Sequence, residues 1–135
     1  MVKTQLDIVR GKLDNYRNLE IWKLAVELTV DVYRLVENFP SHEKFGLSSQ
    51  LSRSVNSVGA NIAESCGRYH FKDKINFLYH SRGSLIETEH HLIIANKLKF
   101  ITDSELDDMM LKIKKIAIKL NNYINSLKSK EVAKK

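Results

Sequence analysis

Apolar residues recur every three or four positions through four long segments of the chain, with polar residues filling the intervals. In the first segment, about Leu19 to Asn38, Ile21, Ala25, Leu28, Val32, Leu35 and Phe39 follow one another at spacings of 4, 3, 4, 3 and 4. That is the seam of a helix packed against other helices. A second stripe of Trp22, Val26, Thr29, Tyr33 and Val36 widens the apolar face beyond what one neighbouring helix covers. Asn18 stands where an N-cap belongs, and Pro40 ends the segment. The second segment, about Leu47 to Gly67, has the core stripe Leu47, Leu51, Val55, Val58, Ile62 and Cys66. Its other positions include Ser48, Ser49, Ser52, Ser54, Asn56, Ser57 and Asn61, all poor helix formers. Packing rather than intrinsic preference must therefore hold this helix. Gly59, Ala63 and Gly67 form a small-residue line that lets another backbone approach closely.

The third segment runs from about Phe71 to Lys99 and turns Ile75, Leu78, Leu85, Leu92 and Ala95 inward, with Ser81 and Thr88 interrupting the stripe. The fourth opens on Thr102-Asp103-Ser104-Glu105, a capping box in which Thr and Glu satisfy free N–H groups reciprocally. Its stripe reads Leu106, Met110, Ile113, Ala117, Leu120, Ile124 and Leu127. Acidic residues crowd its first turns and lysines gather further on, as the helix dipole favours. Short connections at about 39–46, 68–70 and 100–102 make successive helices antiparallel neighbours. The pattern predicts an all-α, antiparallel, up-down-up-down four-helix bundle over residues 18–127. Residues 1–17 form an N-terminal extension whose Leu6, Val9, Leu13 and Tyr16 suit a short helix, and residues 128–135 form a basic, frayed tail.

Composition narrows the class. A length of 135 residues suits one domain, and five Gly with one Pro supply too little turn chemistry for an all-β fold. No apolar run is long enough to span a membrane, and the first residues lack the apolar core of a secretory signal. The lone Cys66 forms no intrachain disulfide, which fits a reducing cytoplasmic setting. The formal net charge of +6 favours polyanionic partners, although lysine-rich helices also occur for solubility alone.

The search for catalytic chemistry yields little. Glu87 and His90 make one Glu-x-x-His unit of the kind that builds di-iron sites in helix bundles, but no second unit exists in the chain. A symmetric partner would have to supply it, with Glu64 as a bridging carboxylate. Cys66 has no local signature of a nucleophile, and neither glycine-rich phosphate loop is present. The reading is a non-enzyme with no cofactor and no metal.

Basic residues are more promising. Lys112, Lys115 and Lys119 share one face of the fourth helix with Lys114 nearby, and the tail adds Lys128, Lys130, Lys134 and Lys135. Arg68, Lys72 and Lys74 gather beside Tyr69, His70 and Phe71, where an aromatic ring next to cations suits an unpaired base. Against this, Asp108 and Lys112 are a plain i, i+4 pair, and no known nucleic-acid-binding motif is present. The doubled stripe of the first helix, together with Leu111 and Ile118 off the main seam of the fourth, predicts self-association. The Ser/Asn-rich second helix and the polar middle of the third are expected to form a polar seam fixing register between subunits.

These residues also carry a family pattern. Asn18-Leu19-Glu20-Ile21-Trp22-Lys23-Leu24-Ala25, then Phe39-Pro40, Glu43, Gly46-Leu47, Gln50-Leu51-Ser52-Arg53, Ala60-Asn61-Ile62-Ala63-Glu64, and Gly83-Ser84-Leu85 with Glu87 and Glu89, occur in order. The chain resembles the bacterial "four helix bundle protein" family, first noticed as proteins encoded in intervening sequences of large-subunit ribosomal RNA genes. It is similar also to accessory proteins of reverse transcriptases in diversity-generating retroelements. The match runs from about Arg17 to Leu127. Gly59 stands where the family often has Pro, and Ser65-Cys66 replaces a commoner Gly-aromatic pair.

The resemblance implies a barrel-like homopentamer with a basic surface and no catalytic site. Its implied partners are further copies of itself, RNA or DNA, and a reverse transcriptase, with no membrane. Gln50, Arg53, Asn61, Glu64, Ser84, Glu87 and Glu89 match the pattern and are read as structural or interface residues. The expected function is non-catalytic binding of RNA or other nucleic acid through lysine-rich surfaces, as an accessory factor of an RNA or ribonucleoprotein assembly. The alternative is a protein-interaction scaffold whose charge is incidental.

Overall fold

A computed structural model describes residues 15–134. Four α-helices follow in order: α1 (Glu20–Val36), α2 (Leu47–Cys66), α3 (Phe71–Lys97) and α4 (Asp103–Lys134). Single tighter turns, Asn15–Asn18 and Ser41–Glu43, precede α1 and α2. Each helix packs on the next, most extensively α2 on α3, and α4 returns to close the bundle against α1. Hydrogen bonds fix the directions. Ser81 of α3 meets Val58 of α2, and Thr88, one helical stretch later, meets the earlier Ser54. In the same way Lys112 and Lys119 of α4 meet Asp31 and then Glu20 of α1. Neighbours are therefore antiparallel, as the short loops predict.

The core is a column of side chains from all four helices. Leu28, Leu51, Ile62, Leu78, Leu85, Leu92, Ile116, Leu120 and Ile124 are among its fully buried members. Burying each such side chain is worth about 1.5–3 kcal/mol relative to exposure. The main stripe of α1 and the stripe of α3 lie in this core, apart from half-buried Leu35, whereas the second α1 stripe is half-buried or, at Val26 and Tyr33, exposed. In α2, Leu47 and Cys66 at the two ends are only half-buried. The α4 stripe needs correction: Met109 and Ile116 are buried, whereas Met110 and Ala117 only flank the core. A straight helix of 3.6 residues per turn drifts against a strict heptad reading, and over a helix this long the drift moves neighbours into the seam.

The helix ends also depart in part from expectation. Asn18 is not the cap of α1. It belongs to the preceding turn, and Leu19 occupies the cap position without a side-chain bond. The Tyr16 ring instead packs edge-on against Trp22 at 5.1 Å, which sets the entry of the chain. Glu43 serves α2, its Oε2 accepting from the Leu47 N–H at 2.9 Å. The capping box of α4 is present in full: Thr102 N donates to Glu105 Oε1 at 2.9 Å, and Glu105 N to Thr102 Oγ1 at 3.1 Å. At the end of α3, Phe100 N bonds Ala95 O at 2.8 Å and Lys99 N bonds Asn96 O at 2.9 Å, a Schellman turn. Its left-handed position is held by Lys99 with φ of 63° rather than by glycine. The turn delivers Phe100 onto Phe39, with ring centroids 5.5 Å apart, and ties the two loops of that end together. Residues 128–134 are not a frayed tail but the last turns of α4. Except for its final turn at 15–18, the predicted N-terminal helix lies outside the described residues.

Five hydroxyl residues of the polar stripe of α2 and α3 bond to one another and to the backbone within one chain. Ser81 Oγ donates to Val58 O at 2.7 Å, Ser84 Oγ to Ser57 Oγ at 2.9 Å, and Thr88 Oγ1 lies 3.0 Å from Ser54 Oγ. Short hydroxyl side chains let α2 and α3 come close enough for these bonds. Among the described residues no buried side-chain polar atom lacks a partner. The seam therefore costs no unpaired group and defines one register.

Candidate nucleic-acid interface

The fold divides the predicted cations into two groups. Lys112, Lys114, Lys115 and Lys119 lie on the first half of α4, and two of them are committed to α1. Lys112 Nζ donates to Asp31 Oδ2 at 2.6 Å and lies 3.2 Å from Asp108 Oδ2. Its Asp31 partner above all raises the lysine above its ordinary pKa of 10.5. Lys119 Nζ lies 3.2 Å from Glu20 Oε2. These two lysines brace the α1–α4 seam, and carboxylates balance their charge. Lys114 and Lys115 are exposed.

The second group converges at one end of the bundle. The α2–α3 turn places Arg68, Lys72 and Lys74 there. Because α3 and α4 are antiparallel, the last turns of α4 bring Lys128 and Lys130 alongside the start of α3. Within the group, Arg68 bonds Glu64 at 2.6 Å and lies over the Phe77 ring with its guanidinium carbon 4.4 Å from the centroid. Lys74 Nζ is 3.3 Å from both Ser65 O and Cys66 O, where it satisfies the carbonyl end of α2. Lys72 and Lys130 are exposed. Tyr69 beside them is 89% exposed, an uncovered ring among cations.

A third feature joins α3 to α4 within this end. The Arg82 guanidinium carbon lies 4.8 Å from the centroid of Tyr79, and Lys128 Nζ lies 5.3 Å from the same centroid. Arg82 Nη1 also donates to Asn121 Oδ1 at 3.0 Å. Neither cation has a carboxylate in ion-pair range among the described residues. The opposite end of the bundle has a different character. Asp103, Glu105, Asp107 and Asp108 crowd the start of α4, with Glu37 and Glu43 in the neighbouring loop.

Among the described residues no three His, Cys, Asp or Glu side chains are grouped to hold a metal. Glu87 faces His91 at 3.4 Å rather than His90, which is exposed. Burial raises the Cys66 thiol above its ordinary pKa, so the thiolate is disfavoured there. Among the described residues no helix is long and apolar enough to cross a membrane.

The family model of the 23S rRNA-intervening sequence protein matches residues 17–122. The chain belongs to that family. The crystal structure of a protein of unknown function from the S23 ribosomal protein family of Bacteroides thetaiotaomicron has the same fold, with a TM-score of 0.69 and 26% identity. The similarity covers 77% of this chain and 97% of that one. No curated protein matches the chain.

Several residues that carry the intervening-sequence family pattern have structural work within the chain. Asn61 Nδ2 lies 2.8 Å from both Ser57 O and Ser57 Oγ, and Ser84 completes that cluster. Glu64 pairs with Arg68 of the turn that follows α2, and Glu87 with His91 along α3. Arg53 lines an open groove with Tyr33, Phe45 and Asn56, Gln50 is exposed and Glu89 is half-buried. Sequence reasoning missed Phe77, Tyr79, Arg82 and Asn121. Tyr79 and Arg82 stand one helical turn apart, a readable signal, but pairing them with Lys128 requires the register of α3 against α4.

Proposed function

We propose that this member of the 23S rRNA-intervening sequence protein family is a non-catalytic, homo-oligomeric bundle that binds RNA through its basic end. The observation that carries the reading is the convergence of Arg68, Lys72, Lys128 and Lys130 with exposed or cation-covered rings at that end. Cations placed on phosphates release counterions, and exposed rings such as Tyr69 offer stacking surface for unpaired bases. Lys114 and Lys115 would extend the positive surface along α4.

Assembly follows from the apolar side chains one bundle leaves uncovered. Phe45 is 90% exposed, Leu111 70% and Ile86 63%, and Val26, Val30 and Tyr33 line the outer face of α1. Copies joined through such surfaces would multiply weak phosphate contacts through effective concentration. The same surfaces favour a second reading, a scaffold for a protein partner such as a reverse transcriptase.

Fluorescence anisotropy with a structured RNA and a matched DNA duplex across a salt series separates the two. The expected result is strongly salt-dependent binding that favours the RNA. Absence of binding even at low salt overturns the RNA reading and leaves the scaffold.

A further inference from the structure

We infer that Arg82 and Lys128, held over the Tyr79 ring, form a phosphate clamp that fixes the nucleic-acid backbone where α3 meets α4; this rests on the RNA-binding reading above. Four of the cations near these helices already have an internal task. Lys112 and Lys119 brace α1, Arg68 pairs with Glu64, and Lys74 caps α2. Arg82 and Lys128 differ. Both face an aromatic ring instead of a carboxylate, so their full charge remains for a ligand.

The ring and Asn121 restrain them. With Arg82 4.8 Å and Lys128 5.3 Å from one centroid, the two charges lie within about 10 Å of each other. Long cationic side chains lose rotamer freedom when a ligand immobilises them. Here part of that loss is borne by the fold. Asn121 takes one guanidinium N–H, and the remaining donors of the Arg82 fork suit phosphate oxygens. Access is open as well. Gly83, beside Arg82 and one turn past Tyr79 on α3, has nothing within 4 Å of where a Cβ would stand.

Phosphate chemistry fits this arrangement better than an acidic protein side chain. Successive phosphates along one strand can engage two cations held on neighbouring helices, whereas a lone carboxylate offers a single charge. Tyr79 is thus a positioning residue. It need not touch the ligand.

The test measures binding of a mixed-sequence single-stranded RNA by the full chain between about 50 and 200 mM salt. Four proteins are compared: wild type, Arg82→Gln/Lys128→Gln, Tyr79→Leu, and Lys97→Gln/Lys99→Gln. The last removes two charges from the opposite end. The clamp double variant should lower the slope of log affinity against log salt by about 1.4, since each phosphate contact on a single strand contributes about 0.7. The Lys97/Lys99 variant should leave the slope near the wild-type value. Tyr79→Leu keeps every charge but frees the two cations, and should weaken binding about 3- to 10-fold with an unchanged slope. Arg82 is only half-buried and Lys128 exposed, so the double variant folds even if Tyr79→Leu does not. Equal slope losses in the two double variants would overturn the clamp while leaving RNA binding intact. A wild-type protein that fails to bind RNA overturns the functional reading itself.

Discussion

Ser81 gives the sharpest test of how α2 and α3 are joined. It is fully buried on the α3 stripe between Leu78 and Leu85, where ordinary core logic favours a larger apolar side chain. The geometry argues the reverse. Ser81 Oγ, one bond beyond Cβ, already reaches the Val58 carbonyl at 2.7 Å. Replacing Ser81 with Ala removes one buried hydrogen bond, while the Val58 carbonyl stays within the α2 helix, so no orphaned group results. The expected cost is about 1 kcal/mol. Ser81→Leu loses the same bond and drives methyl groups into the backbone of α2. Overpacking costs about 1–3 kcal/mol, which brings the total to about 2–4 kcal/mol. Urea unfolding followed by far-UV circular dichroism should show the midpoint fall by about 1–2 M for Ser81→Leu and by less than about 1 M for Ser81→Ala. Protein concentration must be held fixed, because self-association would shift the midpoint by mass action. A Ser81→Leu protein as stable as wild type would refute the close-approach argument.

Two further predictions concern single helices and their seams. Gly83 lies inside α3 with open space around it, so Gly83→Ala should raise stability by about 0.5–1 kcal/mol, read as a higher thermal midpoint. No gain would mean that another surface occupies the space. The Lys112–Asp31 pair should make stability depend on alkaline pH. Lys112 is raised above its ordinary pKa of 10.5, chiefly by its hydrogen bond to Asp31. Its contribution is therefore complete below that value and is lost as pH climbs through the raised one. The stability gap between wild type and Asp31→Asn should stay constant near neutrality and shrink as pH passes that range; a gap that persists there contradicts the pairing.

What the sequence made legible was local. The capping box of α4 needs only four consecutive residues, and Thr102 and Glu105 bond as their spacing predicts. The α1 and α3 stripes were readable for the same reason, since their apolar periods are regular. Registers between helices were not. Met109 and Ile116 enter the core through helical drift over the length of α4, and no single-helix pattern displays that. The hydroxyl seam was visible as an oddity of composition, but whether it faced a sister helix or a second chain depended on packing. The candidate site followed the same rule. Lysines were easily found, yet Lys112 and Lys119 proved to have carboxylate partners on α1, far away in sequence. The cations over Tyr79 came together only once α3 and α4 were laid side by side.

The unequal ends of the bundle have a consequence for assembly. Antiparallel helices largely cancel one another's backbone dipoles, so the axial electrical asymmetry comes from side chains: acids at the start of α4, cations at its finish and at the α2–α3 corner. Copies standing side by side in the same sense bring like charge against like, whereas alternating copies attract. A ring of parallel protomers would thus tighten as salt rises, because screening relieves the repulsion. A polyanion laid across the cationic ends would do the same at low salt. By linkage, the assembled state must then bind that polyanion more tightly than the single chain does, and the ligand would act as a template for the ring that holds it.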